Sequence, residues 1–532
     1  MQNFKLILAT VVVAGTIGSL ALANDADDAD WTSAGQNLKN TRSQSNEHRL
    51  GPANVPGLTP KWVFTTGGDV SATPAVDEHF VYVPDAAGSL FKIDRRTGAQ
   101  VWAHKIDEYS GLTGDCARAT PAIAGNKLIL GDQAWKVGGG ARVFAIDKVT
   151  GKLLWATKVD DHPAAVITQS AVVHDGKVYV GVSSAEETLA ALQPGYPCCT
   201  FRGSMTALDL RTGALLWKTY TVPDASTPGF SGGAVWGSTP VIDPDRKSVY
   251  INTGNNYTVP QAILDCAKAA DAATVKACID AVPGSARNYL DSMMAMDLNT
   301  GRIRWATPVV PFDPFTVACV FAVPGNEDNC SDPRGPDYDF GQGSMLFRAG
   351  GRDLLGAGQK SGVFWAVDPS NGQVVWHTQV GPGGSLGGLQ WGSATDGRRI
   401  YTAVSNNYGS PWTLPDGTVT NAGLWAALDP ATGAILWQTA GTPAVTTTNQ
   451  GPVSVANGVV YAGTVDTAGT MYALDAANGK TLWTFASGGS VNSGAAIVNG
   501  TVYWGSGYGV QGIGLKGNNK LYAFSAPHCH DD

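Results

Sequence analysis

Along most of the chain, short runs of alternating apolar and polar residues come in pairs. Ala171-Val172-Val173 followed by Val178-Tyr179-Val180 is one such pair, and alternation over runs this short predicts half-buried β-strands. Downstream of the pairs stands one signature, Asp-x-x-Thr/Asn-Gly-x-x-x-Trp. It runs from Asp94 to Trp102, Asp147 to Trp155, Asp209 to Trp217, Asp297 to Trp305, Asp368 to Trp376, Asp429 to Trp437 and Asp475 to Trp483. In each copy a strand such as Val143-Phe144-Ala145-Ile146 ends at the Asp. The Thr-Gly or Asn-Gly pair then turns the chain, with Gly accepting positive φ, and a second strand ends in Trp. Two inner strands plus this outer hairpin make four strands per repeat, and a repeat of that kind predicts an all-β propeller.

After the seventh copy, the runs 495–497 and 502–504 lead into Leu521-Tyr522-Ala523-Phe524, where the pattern stops before any turn or Trp. The missing outer strand is expected from the N-terminal side, at Pro60-Lys61-Trp62-Val63-Phe64. The expectation is therefore an eight-bladed β-propeller whose last blade is closed by the N- and C-terminal strands, a device that removes exposed sheet edges. The repeat Trp residues are expected between blades, in a structural role.

The repeats are unevenly spaced. Irregular sequence rich in Gly, Pro and Cys fills about 256–290 and 311–340, and insertions of this size on a rigid scaffold usually carry function. The basic start Met1-Gln2-Asn3-Phe4-Lys5, the apolar run from Leu6 to Leu22 and the Ala21-Leu22-Ala23 site read as a secretory signal over 1–23, cleaved after Ala23. That implies a periplasmic address and one propeller domain over 24–532, with a tail at 525–532. No later stretch is apolar enough to span a bilayer and no Cys near Ala23 could carry a lipid, so no membrane anchor is expected.

Composition adds limits. Gly accounts for 66 of 532 residues and charged residues for 15%, as suits a turn-rich β-protein, and a formal charge of −8 argues against nucleic acid as a partner. Eight cysteines in an exported chain suit disulfides. Cys266 with Cys278 and Cys319 with Cys330 each bracket part of an insertion, adjacent Cys198 and Cys199 can close a vicinal ring, and Cys116 and Cys529 are left over. No Cys-x-x-Cys-His occurs, so a site for covalent haem is not expected on this chain.

Candidate chemistry concentrates first between Val180 and Gly203. This stretch leaves a strand, presents Ser183, Glu186 and Glu187 in a loop, places Cys198-Cys199 and re-enters a strand at Ser204-Met205-Thr206-Ala207-Leu208. Together with Cys198-Cys199-Thr200-Phe201-Arg202-Gly203-Ser204, the stretches Gly335-Pro336-Asp337-Tyr338-Asp339-Phe340-Gly341, Gly358-Gln359-Lys360-Ser361-Gly362 and Gly387-Gly388-Leu389-Gln390-Trp391-Gly392 resemble the quinoprotein alcohol dehydrogenases. Within that superfamily they look most like the polyvinyl-alcohol dehydrogenase group. The resemblance covers essentially the whole mature chain and implies pyrroloquinoline quinone (PQQ) with a divalent cation, Ca²⁺ or, in some relatives, a lanthanide.

Residue by residue, the resemblance makes Glu186 the metal-ligating glutamate, with Glu187 as the register alternative, and Asn255 the ligating amide. Both offer the hard oxygen donors that Ca²⁺ needs. Asp337 aligns with the catalytic base and also with a metal ligand, with Asp313 as the alternative base, and Asp339 aligns with the extra carboxylate that accompanies lanthanide use. Trp236 matches the wall on which the quinone stacks, Thr168 and Ser183 match hydroxyls that touch it, and Arg118 and Lys360 match basic partners of its oxygens. Gln390 stands where the family often has Asn, beside Trp391. The chain departs from the family at two places. Only Cys116 precedes Arg118 where methanol dehydrogenases carry adjacent cysteines, and Ser71 stands where a cofactor-contacting Glu is usual. Cys198-Cys199 is expected near the substrate entrance instead.

The resemblance implies oxidation of an alcohol, secondary and polymeric or bulky, to the ketone. Asp337 takes the hydroxyl proton and hydride goes to the quinone, with electrons passed to a separate soluble cytochrome c or a dye. The rival expectation is a cofactor-free propeller that serves as a binding scaffold in the cell envelope.

Overall fold

The computed structural model describes residues 30–224, 226–237, 239–269, 271–441, 451–509 and 515–527. The signal segment, Cys529 and the last residues of the tail lie outside the described residues.

Eight four-stranded antiparallel sheets are arranged as consecutive blades. Counted from the first complete repeat they occupy 75–105, 122–160, 172–220, 241–308, 345–379, 394–440 and 454–486. The eighth is split across the ends, 496–525 with 59–65. In this last blade Thr59–Thr65 pairs antiparallel with Lys520–Ser525, setting Val63 opposite Tyr522, so the expected closure is present. In blade 4 the first strand, Val241–Asp243, is buried along its length, whereas an outer strand such as Gln100–Lys105 of blade 1 alternates exposed and half-buried positions. The axis is therefore lined by inner strands and the rim by the Trp-bearing ones.

The repeat signature works as a joint between blades. In blade 3 the Asp209 carboxylate accepts hydrogen bonds from Arg211 N at 3.1 Å, Thr212 N at 2.7 Å and Thr212 Oγ1 at 2.7 Å, which fixes the turn. Trp155 of the preceding blade lies on that turn and donates from Nε1 to Leu210 O at 3.1 Å. Gly213 sits beneath the indole with φ +76°, and a Cβ there would stand 2.6 Å from the ring, so only Gly satisfies both the backbone and the packing. The same Trp-to-carbonyl bond recurs at Trp62, Trp217, Trp305, Trp437 and Trp483.

A second closure was not expected from the repeats. Residues 31–44 run beside the axis and hydrogen-bond the inner strands of successive blades. Trp31 exchanges two bonds with Val76, Thr32 O accepts from Ile123 N, Leu38 O from Ile242 N, Lys39 O from Leu346 N, Thr41 O from Thr395 N and Arg42 O from Val455 N. Ser43–Gln44 then adds a parallel strand to blade 7, and the Glu47 carboxylate accepts from Gly500 N of blade 8 at 2.8 Å.

Both insertions are stapled. Helices Gln261–Cys266 and Ala272–Asp280 are joined by Cys266–Cys278, with Ile263 and Ile279 buried against Val222 and Phe230. The second insertion carries Cys319–Cys330 and leans on a helix, Glu186–Leu192, that forms where a loop was expected. Asn326 Nδ2 donates to Ala190 O and Gln193 O, and Asn329 Nδ2 to Ala190 O and Tyr196 O. Cys198 and Cys199 are bridged, and Cys116 is free and half-buried. Among the described residues no helix is long and apolar enough to cross a membrane.

Candidate active site

Lys360 follows the second strand of blade 5 and is buried on the axis side of the fold. Its ammonium lies 2.9 Å from Asp337 Oδ1 and 2.7 Å from Asp339 Oδ1, and 5.4 Å from the centre of the Trp236 ring. Trp236 Nε1 in turn donates to Asp339 Oδ2 at 2.6 Å. The second insertion delivers both aspartates on its return to blade 5. Asp337 has φ +60°, an uncommon conformation for a residue with a Cβ. The Asp313 carboxylate holds it there, accepting from Asp337 N at 2.8 Å and Tyr338 N at 2.5 Å. The two candidate bases thus differ in what they hold: Asp313 is engaged by backbone amides, whereas Asp337 is presented to Lys360.

The surroundings are acidic and dry. Asp291 and Asp313 are fully buried, Asp337 and Asp339 are 3% exposed, and Glu187 is half-buried. Burial pushes the Asp337 carboxyl well above the usual range, an effect that Lys360 opposes and Asp339, Glu187 and Asp313 reinforce. Burial likewise pushes Asp313 up to about 6 against the pull of its two amide donors, and Glu187 up to about 7 against Lys360. Burial alone would lower the Lys360 pKa, but Asp337, Asp339 and Glu187 outweigh it and keep the ammonium charged. Asp291, raised by burial and then by Asp313 and Asp339, receives no amide, hydroxyl or cation on either carboxylate oxygen and meets only the Asp313 carboxyl.

Three carboxylates, Asp337, Asp339 and Glu187, therefore share one lysine, and Asp313 and Asp291 stand behind them. Buried negative charge of this density calls for protons or a cation, and oxygen donors suit a hard cation. Among the described residues no three His, Cys, Asp or Glu side chains stand as a ready ligand group. Asn255 adds a neutral oxygen. Its Nδ2 donates to Asn256 O and Phe315 O, both at 2.8 Å, which leaves Oδ1 free of those carbonyls, and the neighbouring Gly254 O accepts from Asp291 N.

Glu186 is engaged by the loop that carries the vicinal disulfide. Its carboxylate accepts from Thr200 N, Phe201 N and Tyr196 Oη and lies 3.5 Å from His162 Nε2. Those donors outweigh burial and hold its pKa low. Glu186 thus clamps the Tyr196–Phe201 loop with its vicinal disulfide. Because a helix begins at Glu186, the next side chain is turned away from it, and Glu187 is the glutamate whose charge acts on Lys360 and Asp337. Of the two, the register alternative Glu187 is thus the one that acts on the axial cluster.

An axial cavity of about 80 Å³, partly open to solvent, adjoins this cluster across Trp236. Arg118, Thr168, Trp236 and Trp391 line it, as expected of cofactor residues, and so do Ser71, Arg42 and Thr73. Thr168 Oγ1 donates to Trp236 O at 3.2 Å, and Trp391 meets Trp236 edge to face. Arg118 donates to the Tyr508 hydroxyl at 2.9 Å, and among the described residues no carboxylate pairs with it. A flat indole bordered by a guanidinium without an acidic partner fits a planar polyacid. Ser183 and Gln390 are buried nearby without lining the cavity. Ser183 pairs with Val166 in the strand ladder, and Gln390 packs against Gly341, where a Cβ would also strike Trp236. Tyr508, Arg42 and Asp291 carried no signal in any sequence motif.

Comparison with known proteins gives a consistent picture. A family model described as outer membrane protein assembly factor BamB matches residues 60–311 and 359–526. Polyvinylalcohol dehydrogenases from Sphingopyxis sp. (strain 113P3) and Pseudomonas sp. are 33% and 32% identical over 73% and 71% of this chain, and the match spans 55% of each relative. The chain thus spans little more than half the length of the curated relatives it matches. The solved quinohemoprotein alcohol dehydrogenase of Comamonas testosteroni superposes with a TM-score of 0.69 over 94% of this chain and 81% of that one, at 22% identity, which is a likeness of fold.

Proposed function

The chain belongs to the superfamily of PQQ-dependent alcohol dehydrogenase propellers, and from that premise we propose that it oxidises an alcohol to a carbonyl using PQQ and a metal ion. The observation that carries the reading is the pairing of buried Lys360 with Asp337 and Asp339, backed by Glu187, Asp313 and Asp291 and set against the Trp236 indole. A cation held by Glu187, Asp337, Asp339 and the Asn255 oxygen would offset their charge. The quinone would stack on Trp236, with Arg118 and Thr168 at its polar edge and Lys360 towards the metal side. When bound, PQQ supplies a two-electron acceptor for the hydride of the carbinol carbon.

The remaining steps fall to the protein. Asp337 takes the proton from the substrate hydroxyl; burial makes it a stronger base than a surface carboxylate, and Lys360 favours its ionised form. Asp313 fixes the backbone that presents Asp337, so the base does not need to be reoriented during turnover. Trp236 and Trp391, packed edge to face, form one apolar side of the site. The polyvinylalcohol dehydrogenase relatives support a secondary alcohol, polymeric or bulky, as substrate. The absence of a haem-attachment motif in this sequence supports a separate cytochrome c as acceptor, and the signal-like segment supports a periplasmic address.

The family model's description favours a second reading, a cofactor-free assembly scaffold. A scaffold has no use for buried, uncompensated carboxylates, which only cost stability. The deciding experiment is dye-linked oxidation by metal-free protein of polyvinyl alcohol and of simple primary, simple secondary and polycyclic secondary alcohols, with and without PQQ plus Ca²⁺ or a lanthanide. Turnover that requires both quinone and metal is expected. No turnover and no quinone binding would replace the enzyme reading with the scaffold.

A further inference from the structure

Asp291 is the least satisfied charged group among the described residues. It closes the first insertion, immediately before the strand Ser292–Asp297, with φ +40° at its own backbone. Its side chain is fully buried, no amide, hydroxyl or cation donates to either oxygen, and the one group it meets is another carboxyl, that of Asp313. Its charge acts on Asp313, Asp337 and Asp339, and its amide is tied to Gly254 O, next to the candidate ligand Asn255. Nothing structural is gained by this arrangement. An aspartate serving as a turn cap would bond amides, as Asp209 does, and one serving as an ion-pair partner would meet a cation.

The ledger of charge decides what the residue can be for. With Lys360 counted, the cluster carries four uncompensated negative charges if all its carboxylates are ionised. A divalent cation leaves two of them, a trivalent cation one. In a medium of low dielectric each unbalanced buried charge is expensive, so a carboxylate added behind the ligands favours the cation of higher charge. Outer groups of this kind tune a metal without touching it.

We propose that Asp291 is a specificity-determining residue of the metal centre, placed beside Asp313, Asp337 and Asp339 to favour a trivalent hard cation over a divalent one. The inference rests on the metal-dependent reading above and deepens it by assigning a role to a residue outside the sequence motifs. Asp291 sets the charge of the cluster; Glu187, Asp337, Asp339 and Asn255 supply the direct oxygens.

The test uses the full chain, Tb³⁺ as probe, and emission sensitised by the tryptophans near the site, with Ca²⁺ as competitor. Asp291→Asn is expected to weaken Tb³⁺ binding by about ten-fold or more while shifting Ca²⁺ binding by less than about three-fold, within the range seen when groups behind metal ligands are removed. Melting is followed in parallel. Without metal, Asp291→Asn is expected to melt at the same temperature as wild type or higher, because a buried repulsion is gone, and with Tb³⁺ it should gain less than wild type does. Equal loss of affinity for both cations, unchanged affinity for both, or a lower melting temperature without metal would each overturn the proposal and leave Asp291 a structural residue. Absence of sensitised emission from the wild-type chain would instead sink the metal centre itself.

Discussion

Aspartates at the rim and aspartates on the axis of this propeller live under opposite conditions. At the rim, in the Thr-Gly repeats, each carboxylate is fed by its own turn. Asp94, Asp147, Asp209 and Asp429 accept from the Thr hydroxyl and from two amides, and those donors hold their pKa values below the usual range. Asp297 adds Arg304 and falls to about 2. On the axis, Asp291, Asp313 and Asp337 are buried with few donors and are pushed up. One residue type, repeated through one architecture, thus serves as a hinge pin where water and amides reach it and as a charge reservoir where they do not. Acidity that the local backbone satisfies builds the fold, and acidity it leaves unsatisfied awaits something the chain does not itself contain.

The contrast can be broken at several points. The largest effect is expected from Asp337→Asn. Turnover should fall by about a hundred- to ten-thousand-fold, the usual worth of a general base, with the melting temperature held or raised because a strained buried charge has gone. A loss of folding comparable to the loss of rate would put Asp337 with the rim residues. Next, Lys360→Met removes the one counter-ion and should destabilise the metal-free protein by about 3–5 kcal/mol in denaturant melts, as breaking a buried pair does. A neutral result would mean that the axial carboxylates are already protonated.

The two adjacent glutamates give a sharper, smaller comparison. Glu187→Gln should reduce metal affinity by about ten-fold or more with little change in stability. Glu186→Gln should do the reverse, costing about 1–3 kcal/mol by leaving Thr200 N and Phe201 N short of an acceptor. Calorimetric metal titration beside thermal melts separates them, and identical phenotypes would refute the division of roles.

The smallest effect is one of pH. Asp313 and Glu187 have folded-state pKa values raised to about 6 and about 7, above their unfolded values, so the folded state holds their protons more tightly. Their contribution to stability is complete below pH 4 and is lost as pH rises through 6 to 7. Metal-free protein should therefore melt progressively lower from pH 4.5 to 7.5, and bound metal should flatten the slope. Asp297, depressed to about 2, has the opposite sign: its contribution is present above its unfolded value and disappears only in strong acid, as the pH falls through about 2. A metal-free melting curve that rises across that window would contradict the axial assignment.

The rim was legible in the sequence because its rules are local. Asp209, Thr212 and Gly213 interact within one turn, Trp155 recurs at fixed spacing, and the truncated last repeat announces the partner strand at 59–65. Resemblance supplied Asp337, Asp339, Lys360 and Trp236, which the structure brings together. It left Glu186 and Glu187 as alternatives because the choice between neighbouring glutamates depends on where a helix starts, and that helix packs on Asn326 and Asn329 from a distant insertion. Asp291 was invisible for the same reason. Its distinguishing property is a lack of donors, which only the folded chain reveals, although a lone carboxylate abutting the apolar run Met293-Met294-Ala295-Met296 was a usable hint.

The strand at Thr59–Thr65 is among the first parts of the fold to leave the ribosome, and its partner at Lys520–Ser525 is among the last, 455 residues later between Thr65 and Lys520. Throughout synthesis this segment has no permanent neighbour to satisfy its amides. An orphan strand held that long is an invitation to pair with the wrong chain. The ring is therefore a clasp fastened once, at the end of the journey, and the interval before fastening is when this protein most needs a chaperone.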